Sequence, residues 1–173
     1  MIALRGLELK DAPLMLEWMH DKDIQKGFQK KMLAMTLEDA QRFCEKSVIP
    51  EVIDEGTSVH FAIVDDNDEY LGTISLKNIS IANSDAEYAI STRKKVHGKG
   101  IATAATGLIF EKAFNEYNLG KVYLNVLKNN ERAVGFYVKN GFVYEGDIEE
   151  KVCINGEYMT LARYGIQKAD YNK

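Results

Sequence analysis

The run His97-Gly98-Lys99-Gly100-Ile101-Ala102 places two glycines around a lysine where a β-rich stretch gives way to helix-forming residues. Those residue types point to anion chemistry. Glycine lets a ligand approach the backbone, and the free N–H groups at a helix start favour an anion by about 0.3–2 kcal/mol. The basic run Arg93-Lys94-Lys95 lies just before it, and with Lys99 it adds positive potential. Two nucleotide-binding patterns do not fit. An ATP-type phosphate loop would need glycine at Arg93 and Ser or Thr at Gly100. The dinucleotide fingerprint would need glycine at Thr103 and the first strand of a parallel sheet before it. On spacing alone, a tight turn and a phosphate cradle are equally good readings.

Other reactive residue types offer little. His20, His60 and His97 are scattered, and Cys44 and Cys153 lack metal-ligand spacing, so no metal is expected. Two distant cysteines read as reduced thiols, which with a charged N-terminus and no long apolar run suggests a cytoplasmic protein. The net charge of −4 argues against nucleic-acid binding, and no membrane association is expected.

The elements that must position the loop follow from periodicity and caps. "IALRGLEL" alternates as a first strand, and Asp11 is expected to cap the helix "APLMLEWMH". "DKDIQKGFQKKMLAM" reads as a short helix plus loop. Thr36 and Asp39 form a capping-box pattern, opening a helix to about Ser47 with Leu37, Ala40, Phe43 and Cys44 inward. A hairpin spans residues 59–79 around "DDND", and "DAEYAIS" forms the strand that enters the glycine loop. A long helix then runs from about Gly100 to Tyr117. "KVYLNVL" is a strand. The helix after it is capped by Asn129 or Asn130 and closed by Gly141, and Asn155-Gly156 turns a terminal hairpin. The order β-α-α-β-β-β-α-β-α-β-β predicts an α/β (α+β) fold, with a mixed, mainly antiparallel central sheet flanked by helices. With 173 residues and no linker or repeat, one domain over 1–173 is expected.

A second constellation decides between turn and cradle. Asn130 and Ala133, followed by Tyr137, Gly141 and Phe142, lie after the next strand. Together with the His97–Ala102 loop, this pattern resembles the GNAT family of N-acetyltransferases, across essentially the whole chain. It is most similar to the branch of ribosomal-protein N-terminal and spermidine acetyltransferases. His97 stands where that family usually has Gln or Arg.

The resemblance implies a GNAT fold and acetyl-CoA as co-substrate. Backbone amides from Val96, His97, Gly98, Lys99, Gly100, Ile101 and Ala102 would hold the pyrophosphate. The backbone of Ala89, Ile90 and Ser91 would pair with pantetheine as an added strand, and Asn130 would bond the cofactor arm or cap its helix. Tyr137 matches the general acid, and Glu87 matches a carboxylate near the acceptor amine; packing and strand exposure are their bland alternatives. The acetyl group would pass directly to a primary amine: a small amine, a polyamine, an amino sugar or a protein N-terminus. Trp18, Phe28, Glu38 and Tyr158 are candidates for the acceptor pocket, and Asp21, Asp23, Asp54 and Glu55 suggest a cationic acceptor or mere solvation. A homodimer is compatible with the pattern. The competing reading is a non-catalytic acyl-CoA-binding module.

Overall fold

Alternating apolar residues build seven strands that pair into one sheet. A computed structural model describes residues 1–26 and 30–171. Its strands are β1 (Ile2–Gly6), β2 (Val59–Asp65), β3 (Tyr70–Ser80), β4 (Asp85–Thr92), β5 (Lys121–Leu127), β6 (Val143–Ile154) and β7 (Glu157–Gln167). The helices are α1 (Ala12–Met19), α2 (Lys22–Gln25), α3 (Leu37–Lys46), α4 (Ile101–Glu111), α5 (Glu131–Lys139) and α6 (Lys168–Tyr171). The sheet order is β1-β2-β3-β4-β5-β7-β6, antiparallel throughout except for the parallel pair β4–β5. The expected fold class is borne out, with α6 added at the end. Among the described residues no helix is long and apolar enough to cross a membrane.

Each face of the sheet carries its own core. On one face Val59, Phe61, Ile74, Leu76, Ala86, Tyr88, Val122 and Leu124 pack with Ala105, Ile109 and Phe110 of α4. On the other, Ala62, Val64 and Tyr70 pack with Met15, Trp18 and Met19 of α1 and Ala40 and Cys44 of α3. Because strand side chains alternate, Lys77, Glu87, Ala89 and Ser91 share this second face.

Local chemistry corrects several expectations. Asp11 does not cap α1. Its carboxylate, almost fully buried, accepts from Nη1 and Nη2 of Arg5 at 2.8 and 2.9 Å and from the Glu8 amide at 2.9 Å, which fixes the preceding turn instead. Leu37 is exposed rather than inward, while Ala40 and Cys44 of the same helix are buried. The Thr36–Asp39 box is present, Gly141 closes α5 at φ +93°, and Asn155-Gly156 makes the terminal turn with positive φ at both positions. The long helix changes pitch midway. After Glu111 it continues as a π-helical turn through Glu116, which buries Ala113 and Phe114.

Candidate active site

The site begins where two strands part. β4 and β5 pair in register only at Asp85–Lys121, Ala86–Val122 and Glu87–Tyr123. Beyond that step β5 continues against β7, while β4 runs on to Thr92 with only β3 beside it. The edge of β4 at Ala89, Ile90 and Ser91 is therefore unpaired among the described residues, with N–H and C=O groups available to an extended ligand.

That edge leads into the glycine loop. Residues 94–96 form a 3-10 turn, and Gly98 and Gly100 follow at φ +74° and +76°, a region few L-residues adopt. Gly100 occupies the cap position of α4 without any side-chain cap, and a Cβ there would meet open space. This explains why no Ser or Asp caps the helix: a capping oxygen would consume amides that the loop keeps open. The amides of Val96, His97 and Lys99 are spent, however, on the carbonyls of Arg93, Lys94 and Val96 at 3.1, 3.1 and 3.3 Å. Those of Gly98, Gly100, Ile101, Ala102 and Thr103 have no backbone partner among the described residues, so the open set starts later than expected and gains Thr103.

The basic run divides in the same way. Arg93 is buried and clamped, with Nε and Nη2 on the two carboxylate oxygens of Glu17 at 2.7 and 2.8 Å. Its Nη1 donates to Glu69 at 2.5 Å and to the Tyr70 carbonyl at 2.9 Å. Lys95 also pairs with Glu69. Both ties fasten the loop to α1 and to the start of β3 rather than offering charge to a ligand. Lys94 and Lys99 remain exposed. A residue missed in the sequence adds to them. Arg132, in the first turn of α5, donates Nη2 to His97 Nδ1 at 3.2 Å. Since arginine only donates, His97 carries its proton on Nε2, which lies 3.4 Å from the Thr92 carbonyl. The imidazole thus ties α5 to the loop, in the place where Gln or Arg was expected. The third position of Asn130-Glu131-Arg132-Ala133 was the available signal.

Tyr137 projects from α5 onto Tyr88 and Phe142, with ring centroids 6.0 and 5.8 Å away in edge-on geometry. Burial alone pushes its hydroxyl up to about 12, and that hydroxyl makes no hydrogen bond to the described residues. Tyr88, by contrast, is satisfied by Thr106 at 2.8 Å. Asn130 caps α5 by accepting from the Ala133 amide at 3.2 Å. Glu87, on the opposite face of the sheet, lies 3.3 Å from Lys77 Nζ and accepts from Asn78 Nδ2 at 3.3 Å.

The remaining candidates scatter. Trp18 is core, donating Nε1 to the Tyr70 hydroxyl at 2.9 Å. Glu38 pairs with Arg42 on the surface, Tyr158 stands exposed near the hairpin tip, and Phe28 lies outside the described residues. No group of side chains that could hold a metal occurs among the described residues.

A glycine loop with open amides, an open strand edge and a tyrosine packed on Tyr88, its hydroxyl without a partner among the described residues, match one known architecture. The model of the acetyltransferase (GNAT) domain matches residues 2–143. The chain belongs to the GNAT family. The acetyltransferase is similar to the spermidine N(1)-acetyltransferase of Escherichia coli K12, 31% identical over 170 residues, which span 98% of this chain and 88% of that one. It also resembles a putative ribosomal N-acetyltransferase of Bacillus subtilis, 32% identical over 100 residues, 58% of this chain and 55% of that one. The structure of the Vibrio cholerae spermidine N-acetyltransferase in complex with CoA and spermine superposes with a TM-score of 0.84. Its identity is 26%, with 99% of this chain and 98% of that chain covered. The acetyltransferase is thus an acetyl-CoA-dependent N-acetyltransferase, and the non-catalytic alternative is set aside.

Proposed function

We propose that this enzyme transfers the acetyl group directly to a primary amine, with Tyr137 hydrogen-bonding the leaving sulfur and Glu87 serving the amine. The observation that carries the reading is the parting of β4 and β5 after Glu87–Tyr123, which joins an open strand edge to the open amides of the loop. Acetyl-CoA, when bound, supplies an activated thioester. Gly98, Gly100, Ile101, Ala102 and Thr103 would hold its pyrophosphate through N–H groups, with Lys94, Lys99 and Arg132 contributing charge. Ala89, Ile90 and Ser91 would pair with the pantetheine amides, and Asn130 keeps Nδ2 for the same arm. Val96, His97 and Lys99 shape the loop rather than donate amides to it.

An amine of pKa near 10 is only about one part in a thousand neutral at pH 7, so Glu87, directly or through water, helps remove its proton. Tyr137 keeps its own proton across the working range because burial raises its pKa. A thiol titrates near 8.5, so full transfer from a hydroxyl at about 12 is uphill by roughly 5 kcal/mol. Tyr137 therefore acts by hydrogen-bonding the sulfur as charge develops.

Residues 1–173 act as one catalytic domain, a reading supported by the sheet that the first and last strands share. A homodimer fits the outer strand β6, where Val143 and Tyr144 are exposed beside an unpaired edge. A cytoplasmic location fits two free thiols, Cys44 and Cys153. The test of the activity is thiol release from acetyl-CoA over a panel of amines, with mass spectrometry of the acetylated amine. Release without any acetylated product would overturn it.

A further inference from the structure

The charges around the gap bear on which amine enters. Among the carboxylates that could hold a polycation, Asp85 and Asp54 have no partner among the described residues, and the others named in the sequence or near the gap are committed elsewhere. Asp21 caps α2 through the amides of Asp23 and Ile24, and Asp23 pairs with Lys26. Glu55 is held by Ser80 Oγ at 2.8 Å and by the amides of Ile81 and Ala82 at 2.5 and 3.1 Å. Glu17 and Glu69 belong to Arg93, and Asp11 belongs to Arg5. On the sheet face itself Glu87 faces Lys77 across the β3–β4 pair, and Glu145 pairs with Lys121 at 2.6 Å.

One cation on that face has no carboxylate partner among the described residues. Arg163 of β7 stacks its guanidinium over the Tyr123 ring at 4.5 Å and donates Nε to Asn125 Oδ1 at 3.1 Å. Its two Nη groups, on an exposed side chain, have no partner among the described residues. Tyr123 is the residue paired with Glu87 at the last step before the strands part. Arg163 pairs with Asn125, two residues beyond that step, so it stands at the rim of the gap, about 12 Å from Glu87 by strand geometry.

Resting on the activity proposed above, we infer that the acceptor is a primary amine that also carries an anionic group, and not a polyamine. Arg163 takes the anion, bidentate geometry being what a guanidinium offers a carboxylate or phosphate. The Lys77 ammonium beside Glu87 repels a second ammonium, while the Glu87 carboxylate that it shares serves the first. Discrimination between amines then comes from a repulsive element as much as an attractive one.

The experiment compares kcat/KM for acceptors of matched length that differ at the far end: 5-aminopentanoate, 5-aminopentan-1-ol and 1,5-diaminopentane. Spermidine serves as the polyamine and O-phosphoethanolamine as the phosphate-bearing amine. The aminopentanoate or the phosphoamine should exceed both diaminopentane and spermidine by about 10–100-fold, the span expected when like charges replace complementary ones. Whichever of the two leads identifies the anion. Arg163→Met should bring the ratio near one and Arg163→Glu should invert it, both with unchanged acetyl-CoA affinity by calorimetry. Preference for spermidine or the diamine in the wild type would overturn the inference and leave the acetyltransferase reading intact. So would a preference for the anionic acceptor that survives both Arg163 variants. If every amine is inert while acetyl-CoA binds, both readings fall.

Discussion

The proposed donor and acceptor sides of the gap are made of different material. The donor side is backbone: glycines at positive φ, amides released from a helix cap, and an unpaired strand edge. The proposed acceptor side is side-chain charge, arranged in pairs across strands, with Lys77 on Glu87, Lys121 on Glu145 and Arg163 on a tyrosine ring. A backbone site serves any ligand with the right phosphate and amide groups, and one backbone departure damages it. A charge-paired site is retuned by exchanging one residue without disturbing the fold. Family membership therefore transfers readily to the cofactor side and poorly to the acceptor, even at 31% identity to a spermidine enzyme over nearly the whole chain.

The sharpest way to break that contrast is at Tyr137, the proposed partner of the leaving sulfur. Tyr137→Phe should lower kcat by about 10²–10³-fold, the usual worth of one hydrogen-bond donor to developing charge, with little change in Tm because its hydroxyl has no hydrogen bond among the described residues. The wild-type kcat should show no alkaline downturn from this group through pH 10, since its hydroxyl is held at about 12. Stopped-flow single turnovers check both.

Next in size is the backbone side. Gly100→Asp puts a side chain at φ +76° and a negative charge at the helix start. The strained conformation costs about 1–2 kcal/mol and the anion repels phosphate, so acetyl-CoA affinity should fall about 10–100-fold by calorimetry. An unchanged Kd in a folded variant would show that the loop is only a turn.

Arg93→Met tests the clamp behind the loop. It removes a bidentate pair on Glu17 and the donor to the Tyr70 carbonyl, but both carboxylates are partly exposed and can rehydrate. The loss should be modest, about 1–2 kcal/mol in urea unfolding, accompanied by weaker acetyl-CoA binding as the loop loosens. A variant that loses cofactor affinity with full stability would return Arg93 to direct phosphate contact.

The smallest effect is expected on the acceptor side. Glu87→Gln should slow turnover at neutral pH and recover to within a few-fold as pH rises toward the amine's own pKa near 10, where solution supplies the free base. Acetyl-CoA affinity should not move. A wild-type pH–rate profile in Glu87→Gln would assign deprotonation to water or another group.

The same contrast explains what could be read from the chain alone. The order of helices and strands along the chain, the Thr36–Asp39 box, the Asn155-Gly156 turn and the glycine loop were legible because each depends on residues close in sequence. The role of Arg93 was misread: its neighbours in sequence are lysines, while its partners Glu17 and Glu69 come from distant elements. Asp11 was misplaced for the same reason, since only the fold brings Arg5 onto it. Arg132 and Arg163 were passed over because the rings that engage them, His97 and Tyr123, are joined to them only by tertiary packing. Which amides of the loop stay open depended on whether residues 94–96 would close a 3-10 turn, a choice that composition does not dictate.

The two thiols give the molecule a built-in clock. Cys153 is exposed on the outer hairpin, whereas Cys44 is buried under α3, where burial raises its pKa to about 11. A disulfide exchange reagent added to the native enzyme should therefore consume one sulfur at once. The second should react only as fast as α3 lifts from the sheet, because a protonated, covered thiol is inert. The slow phase then measures how often the helical cover over the Trp18–Tyr70 cluster opens, and denaturant should accelerate it. Thiol-release assays must start from that prompt equivalent as their baseline, and a Cys153→Ser chain would remove it.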